Sequence, residues 1–172
     1  AWRLATYFVK PASVSGMNWS EAQAAADRER VDQHSRNAAL LYNLAIDLAY
    51  PNGWTIPEVF DGLRRRQDRI RVDYLPNGSK LDTWPYDGGK TFRVNWVNYT
   101  IYDGDLAVAF NYVPRVDLAD SLAQAAYAET FFKFVEEKFP EYPSLFPAAV
   151  LQAADTTGAV AYERAFSWGE SR

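Results

Sequence analysis

The chain has 172 residues, of which 48% are hydrophobic, 23% charged and 16% aromatic, and its net charge is −4. A chain of this length usually forms one domain that buries its own core. The absence of cysteine excludes disulfides, thiolate nucleophiles and Cys-ligated metals, and the negative charge disfavours nucleic acid and anionic membranes as partners.

The first segment, about residues 1–17, is apolar and ends in a Pro/Ser/Gly loop. Its bulky side chains include Trp2, Tyr7 and Phe8, which is too much apolar surface for a free tail. The sequence therefore predicts an arm that docks on another surface. No apolar run in the chain reaches the roughly 18 residues of a membrane helix, so no membrane span is expected.

The first helix is expected to begin near Asn18, with a capping box formed either by Asn18 and Glu21 or by Ser20 and Gln23. The sequence that follows is polar and then apolar. This pattern fits either one long helix with a solvated middle or two helices broken near residues 35–37.

Another helix is predicted after Pro57, since proline suits the first helical position and Glu58 adds a carboxylate to the first turn. Five arginines lie at its end and just beyond it, and we call them the arginine cluster: Arg64, Arg65, Arg66, Arg69 and Arg71. The cluster has three interpretations: solvated or intramolecular ion pairs, contact with an acidic neighbouring subunit, or phosphate binding on nucleic acid.

The middle of the chain, residues 68–115, is predicted to form a central antiparallel β-meander of about four strands. The first predicted strand spans residues 70–74 and the last spans residues 106–112. Near Trp96 and Val97 the apolar residues change from even-numbered to odd-numbered positions. A β-bulge or a strand covered on both faces would produce this change. Residues that tolerate positive φ form the turn signals, which are Pro76-Asn77-Gly78, Asp87-Gly88-Gly89 and Asp103-Gly104-Asp105.

The strongest helix pattern runs from Asp117, a candidate cap, to Phe139, after which Pro140 stops it. Its apolar surface is wider than one stripe, so this late helix lies deep in the core or also contacts a partner. A short helix over residues 145–153 is expected next, followed by a second apolar arm, about residues 156–172. With helices on both sides of the meander, residues 1–172 are predicted to form a single α+β domain.

Residue types that carry catalysis are scarce. His34 is the only histidine, so neither a His-rich metal site nor a Ser–His–Asp triad is expected, and no cofactor is expected. Glu129 lies among apolar positions of the late helix, where burial would favour its neutral form unless an arginine paired with it. It is the one suspect for acid–base chemistry, against the simpler interpretations of a buried ion pair or a side chain that reaches solvent.

The preferred hypothesis is a non-catalytic structural subunit of a larger assembly, such as a virion, a filament or an organellar complex. Apolar ends and an aromatic excess without catalytic residue types favour it. Its partners would be other protein subunits, including copies of itself. The expected contact side chains are Trp2, Tyr7, Phe8, Phe131, Phe134, Phe166 and Trp168.

Two other hypotheses remain open. One is an enzyme or small-ligand-binding protein with an aromatic pocket between the sheet and the late helix and with Glu129 as acid or base. The residues of that pocket would be Trp84, Trp96, Tyr99 and Tyr112. The other is a nucleic-acid-coating protein that uses the arginine cluster, which predicts binding that weakens steeply with salt.

Overall fold

The computed structural model describes residues 13–49, 57–70, 72–155 and 157–169. The chain divides into two compact units, Ala1–Val72 and Asp73–Arg172. Within the described ranges there are four α-helices and a five-stranded sheet, which confirms the predicted α+β class.

The described part of the first unit contains the helices α1 (Trp19–Val31), α2 (Ser35–Ala49) and α3 (Pro57–Gln67). α1 begins with the capping box of Asn18 and Glu21. Asn18 Oδ1 accepts hydrogen bonds from the backbone N–H groups of Ser20 and Glu21 at 2.9 and 3.1 Å, and Glu21 Oε2 accepts one from the backbone N–H of Asn18 at 2.8 Å. Of the two patterns considered, the two separate helices are correct, but the break lies at residues 32–34 and not near residues 35–37, which form the first turn of α2. Gln33 lies between them with a φ of 65°, a conformation that cannot continue an α-helix.

The helices of the first unit pack through small residues on α1 and leucines on α2. Ala22 and Ala26 are fully buried, as are Leu40 and Leu44. Asp27 of α1 links the three helices, because its carboxylate accepts hydrogen bonds from Tyr42 at 2.6 Å and from Arg66 at 2.8 Å.

The sheet of the second unit is mixed, and its strands lie in sequence order. They are β1 (Asn77–Pro85), β2 (Thr91–Tyr102), β3 (Asp105–Val113), β4 (Ala148–Ala154) and β5 (Val160–Ser167). β1, β2 and β3 form the predicted antiparallel meander. β3 and β4 are parallel and are connected through helix α4 (Ser121–Lys138), while β4 and β5 are antiparallel. The sheet thus has five strands and one parallel pair, whereas the sequence predicted about four antiparallel strands.

Two local predictions in the meander are confirmed. The register of β2 against β3 shifts between Val94 and Trp96, which is a β-bulge beside the predicted position. The hairpin between β2 and β3 turns at Asp103 and Gly104, whose φ angles are 52° and 86°. Positive φ at both central positions is the geometry that favours Asp-Gly in two-residue hairpins.

The predicted strand over residues 70–74 is wrong. Val72 and Asp73 lie outside any strand, Tyr74 has a φ of 61°, and β1 begins only at Asn77. The ring of Tyr74 packs edge-on against Trp84, with centroids 5.5 Å apart. An irregular segment therefore partly buries the Tyr74 side chain, which the alternating pattern had assigned to a strand.

The predicted helix over residues 145–153 is also wrong, because Ala148–Ala154 forms strand β4. β4 is flanked by β3 and β5, and six of its seven residues are buried. A strand covered on both faces is a continuous apolar run, which periodicity alone cannot distinguish from a short buried helix. The late helix is present as α4, but it begins at Ser121 and is capped by Asp120 rather than by Asp117.

The core of the second unit lies between α4 and one face of the sheet. It consists of closely packed rings, which we call the aromatic cluster. Its members are Trp84, Phe92, Phe110, Tyr112, Phe131, Phe134, Phe139 and Tyr142. The wide apolar surface of α4 is used mainly inside this unit.

Candidate functional site

The aromatic pocket predicted between sheet and late helix is not found in the residues that the structure describes, because the aromatic cluster fills that space. Trp84 is only 2% exposed, and its ring centroid lies 5.3 Å from that of Phe139. Tyr112 is fully buried, with its ring 4.9 Å from Phe131.

The four predicted pocket residues do not converge. Trp96 packs with Ala107, Ala109 and other small residues on the opposite face of the sheet from Trp84 and Tyr112. Tyr99 is partly buried in the second half of β2. The hypothesis of an active site lined by these rings therefore loses its geometric basis.

Glu129 is on the outer side of α4. Its side chain is 55% exposed, and its Oε1 accepts a hydrogen bond from Arg164 Nη1 on β5 at 3.0 Å. The expectation of a desolvated carboxylate is wrong. The simpler interpretation, a side chain that reaches solvent and pairs with an arginine, describes its position.

The aromatic residues predicted as contact surfaces are largely engaged within the second unit. Phe131 is fully buried and Phe134 is partly buried in the aromatic cluster. Phe166 stacks on Phe132, with ring centroids 4.6 Å apart, and Trp168 lies 5.2 Å from the same ring. The segment predicted as a C-terminal arm therefore includes a strand of the sheet. Trp2, Tyr7 and Phe8 lie outside the described residues.

The arginine cluster is only partly accounted for. Arg64, Arg65 and Arg66 are exposed in the last turn of α3, and Arg69 is exposed beyond it. Arg66 forms the ion pair with Asp27 at 2.8 Å, which matches the interpretation of intramolecular pairing. Arg71 lies outside the described residues, so a cluster of five cations on one surface stays a prediction.

His34 lies just before α2, with its Nδ1 3.0 Å from Glu29 Oε2. The same carboxylate oxygen accepts a hydrogen bond from Asn37 at 2.9 Å. These contacts join α1 to α2. In the described ranges no three His, Asp or Glu side chains are grouped so that they could hold a metal ion.

Sequence reasoning missed a cleft at the carboxyl ends of the parallel strands β3 and β4, which we call the Arg93 cleft. It consists of two adjoining depressions of about 320 and 340 Å³ that share Arg93, Val113 and Asp155. Gly78, Leu81, Asn95, Thr157 and Gly158 complete the first depression. Pro114, Val116, Asp117, Leu118 and Ala154 complete the second. The carboxyl ends of parallel strands are where open sheets usually bind ligands.

Arg93 is the central polar group of this cleft. Its Nη2 donates to the carbonyl oxygen of Pro114 at 3.2 Å, which holds the guanidinium group in place. Its Nε is buried and has no hydrogen-bond partner in the part of the chain that the structure describes. Beside it, Asn95 Nδ2 donates to Oδ1 of the buried Asn111 at 3.3 Å.

The negative groups of the cleft are held by the surrounding loops. Asp155 Oδ1 accepts hydrogen bonds from the N–H and hydroxyl of Thr157, at 2.8 and 2.6 Å, and from the N–H of Ala159 at 3.0 Å. These bonds, above all those from Thr157, lower the pKa of Asp155, so it stays ionised. Asp117 Oδ1 accepts from the N–H of Ala119 at 2.9 Å.

A second candidate surface is the outer edge of β5, the last strand in the sheet order. β5 has eight residues and contains neither proline nor glycine nor lysine. Its two charged side chains are both bound within the second unit: Glu163 accepts from Gln152 at 2.7 Å, and Arg164 pairs with Glu129.

The residues were missed for two different reasons. Asp155 and Thr157 follow β4, and with β4 interpreted as a helix no sheet end was expected there. Arg93 lies between Phe92 and Val94, so strict alternation places it on the face away from the apolar residues. That alternation was the one signal that could have identified it.

The chain is thus an α+β protein whose second unit has a five-stranded mixed sheet with one helical crossover. No family model, curated protein or solved structure matches it. None of the helices that the structure describes is both long enough and apolar enough to cross a membrane.

Proposed function

We propose that this protein is a non-catalytic structural subunit that joins other subunits, including copies of itself, by strand addition at the outer edge of β5. The observation that carries the proposal is that, among the residues that the structure describes, no strand pairs with the outer edge of β5 and β5 itself holds no proline, glycine or lysine. Alternate residues of an edge strand direct their N–H and C=O groups away from the sheet, and another extended chain can pair with them.

The two edges of the sheet differ in a way that supports this choice. β1, at the other edge, contains Gly78, Lys80 and Pro85, and its register against β2 shifts between Asn77 and Asp82. Glycine, lysine, proline and irregular pairing are the features by which proteins block strand addition. β5 has none of these residues, and its register against β4 is regular from Tyr162 to Ser167, with a shift only at its start, next to Val160. It is therefore the edge better suited to pairing.

The charges on β5 do not protect it either. A free charged side chain blocks an edge in one of two ways. It repels the added strand, or the added strand buries it without a partner for its charge. Glu163 and Arg164 instead contact Gln152 and Glu129 of neighbouring elements, on opposite faces of the sheet. Val160, at the start of β5, remains 47% exposed and adds apolar surface at this edge.

In this proposal the C-terminal segment takes part in assembly through its backbone and not through its aromatic rings. Phe166 and Trp168 already stack on Phe132, so their rings have a role inside the second unit. The contact would then come chiefly from main-chain groups of β5 rather than from a free aromatic arm. Main-chain pairing gives affinity, and the side chains beside it give specificity.

The test is the oligomeric state of the full chain, measured by size-exclusion chromatography with light scattering over a range of protein concentrations. We expect self-association that weakens in the double variant Val160→Lys/Ala161→Lys, because lysine disfavours strand addition. The single variant Ser79→Lys on exposed β1, compared with the single variant Val160→Lys on β5, is the control for added positive charge. Circular dichroism checks that each variant is folded.

A monomer at every concentration would overturn the proposal for self-assembly. Equal association of the parent chain, the β5 variant and the β1 variant would overturn the choice of edge. Weakened association in the β1 variant alone would place the contact at the opposite side of the sheet.

A further inference from the structure

We propose that the Arg93 cleft binds a small zwitterion of the class of α-amino acids with an apolar side chain. This proposal concerns a different surface from the edge of β5 and does not depend on the assembly role. It is based on the position of the cleft, on the state of Arg93 and on the pattern of charges around it.

Arg93 is held in place where the two depressions meet. Its side chain lines both of them. The bond from Nη2 to the carbonyl oxygen of Pro114 at 3.2 Å fixes the plane of the guanidinium group. Adjacent N–H groups of a fixed guanidinium match the two oxygens of a carboxylate.

The charge pattern explains why the ligand carries a positive group as well. Asp117 and Asp155 line the cleft with Arg93, yet Arg93 is not among the ion pairs of the described residues. The cleft thus presents one cation and two carboxylates that do not neutralise each other by contact. A simple anion would be repelled by the carboxylates, whereas an ammonium group beside the ligand's carboxylate would be attracted to them.

The carboxylates retain acceptor capacity for that ammonium group. The hydrogen bonds that Asp155 accepts from Thr157 and Ala159 all use Oδ1, and the bond that Asp117 accepts from Ala119 also uses Oδ1. An ionised carboxylate has two oxygens and about four acceptor positions. A bound ammonium group would use the remaining ones without disturbing either loop.

Aliphatic side chains in the lining select the side chain of the ligand. Leu81, Val113, Val116 and Leu118 line the two depressions. A depression of about 320 Å³ is at the lower end of the range of about 300–1,000 Å³ for small-molecule sites. A branched aliphatic side chain fits this combination of size and lining, so leucine is the probe of choice.

Isothermal titration calorimetry of the full chain tests the proposal with three probes of the same carbon skeleton. L-leucine carries both charged groups, 4-methylpentanoate lacks the ammonium group, and 3-methylbutylamine lacks the carboxylate. We expect leucine to bind, and each analogue to bind at least about tenfold more weakly because one charged contact is lost.

Variants assign the binding to the cleft. Arg93→Lys keeps the charge but removes the paired donors, and we expect it to weaken leucine binding by about tenfold. Asp117→Asn keeps an Oδ1 acceptor for Ala119 and should weaken leucine but not 4-methylpentanoate. Arg115→Lys is the matched control, because Arg115 is exposed and bonds to Thr91 without lining the cleft.

Nitrogen–proton NMR spectra of the arginine side chains give a readout that a purely structural role would not change. Leucine should shift the Nε–H resonance of Arg93 and leave that of Arg115 in place. No leucine binding at concentrations on the order of 10 mM would overturn the proposal, as would equal binding of leucine and 4-methylpentanoate. Unchanged affinity in both Arg93→Lys and Asp117→Asn would overturn it as well.

Discussion

Phe131 lies at the centre of the aromatic cluster. Its ring centroid is 4.7 Å from that of Phe92, 4.9 Å from Tyr112 and 5.9 Å from Phe110, and the side chain is fully buried. Pairs of rings in such arrangements contribute about 0.5–1.5 kcal/mol beyond the area they bury. A residue that the sequence suggested as a contact for other subunits is therefore a core residue of its own unit.

Truncation of Phe131 measures this role. Phe131→Ala is expected to lower the free energy of unfolding by about 3–5 kcal/mol, because it removes a buried ring and leaves a cavity. Leu122→Ala on the same helix is the control, since Leu122 is 82% exposed and should change stability by no more than about 0.5 kcal/mol. Urea unfolding measures both. A loss below about 1 kcal/mol for Phe131→Ala would contradict the assigned packing.

Two tyrosines of the second unit make stability depend on alkaline pH. Burial raises the pKa of Tyr127 to about 12, although the nearby Arg115 and Arg93 oppose the shift, and burial also raises the pKa of Tyr112. In an unfolded chain the pKa of tyrosine is about 10. Above that pH the unfolded chain releases a proton that folded Tyr127 keeps, so the unfolded state gains stability.

The free energy of unfolding should accordingly be unaffected by Tyr127 below about pH 10 and should fall as pH rises from about 10 to 12. Tyr127→Phe removes the titrating hydroxyl and should make this decline shallower. Urea unfolding of the parent and the variant at a series of pH values measures the two slopes. Equal slopes would contradict the assignment of Tyr127 to this effect.

At the scale of the element, α4 shows how a helix start depends on geometry as well as on residue type. The sequence predicted Asp117 as the cap, and Asp120 has the same residue type. Asp120 is the one whose Oδ1 accepts from the N–H groups of Leu122 and Ala123, at 3.1 and 3.0 Å. Asp117 instead orders the preceding turn through the N–H of Ala119.

Alanine substitution separates these two roles. Asp120→Ala should lower the free energy of unfolding by about 1 kcal/mol, because two N–H groups at the helix start lose their acceptor. Asp117→Ala should cost less, since it removes a turn contact outside the helix. Thermal and urea unfolding compare the two variants. A larger loss for Asp117→Ala would contradict the capping role of Asp120.

The effect of replacing glycine by alanine depends on the backbone conformation of the glycine, and Gly104 and Gly62 allow the comparison of a turn with a helix. Gly104 in the β2–β3 turn has a φ of 86°, whereas Gly62 is inside α3, and an added Cβ would meet no atom within 4 Å at either position. Gly104→Ala should destabilise the protein by about 1–3 kcal/mol through backbone strain. Gly62→Ala should stabilise it by about 0.4–1 kcal/mol, because alanine favours the helix. The same sign for both variants in urea unfolding would contradict this explanation.

At the scale of the whole molecule, charge bears on the nucleic-acid hypothesis. The net charge is −4, and Arg66 of the arginine cluster pairs with Asp27 in the same unit. A coating protein needs several cations that remain available to phosphates, and its affinity then falls steeply with salt. The remaining arginines of the cluster decide whether such a surface exists.

Binding of a fluorescent single-stranded oligonucleotide over a salt series provides the test. We expect no binding tighter than on the order of 10⁻⁴ M at physiological salt, which is weaker than ordinary non-specific binding. The triple variant Arg64→Gln/Arg65→Gln/Arg69→Gln is the comparison. Tight binding that weakens steeply with salt and is lost in this variant would restore the nucleic-acid hypothesis.

The features that the sequence predicted correctly are those set by short-range chemistry. The capping box of Asn18 and Glu21, the Asp103-Gly104 turn and the bulge before Trp96 each depend on a few neighbouring residues. Such residues impose their conformation wherever the segment lies. Together with the alternating runs of the meander they determined the α+β class.

Tertiary structure decided what depends on distant partners. Ala148–Ala154 became a strand because β3 and β5 pair with it on both sides, and the apolar run alone is equally typical of a buried helix. Glu129 points outward because other residues of α4, such as Phe131 and Val135, are buried, and its partner Arg164 lies 35 residues further along the chain. The Arg93 cleft joins β1, β2, β3 and the loop after β4. Only the strand order brings these segments together, because no local pattern encodes which strands become neighbours.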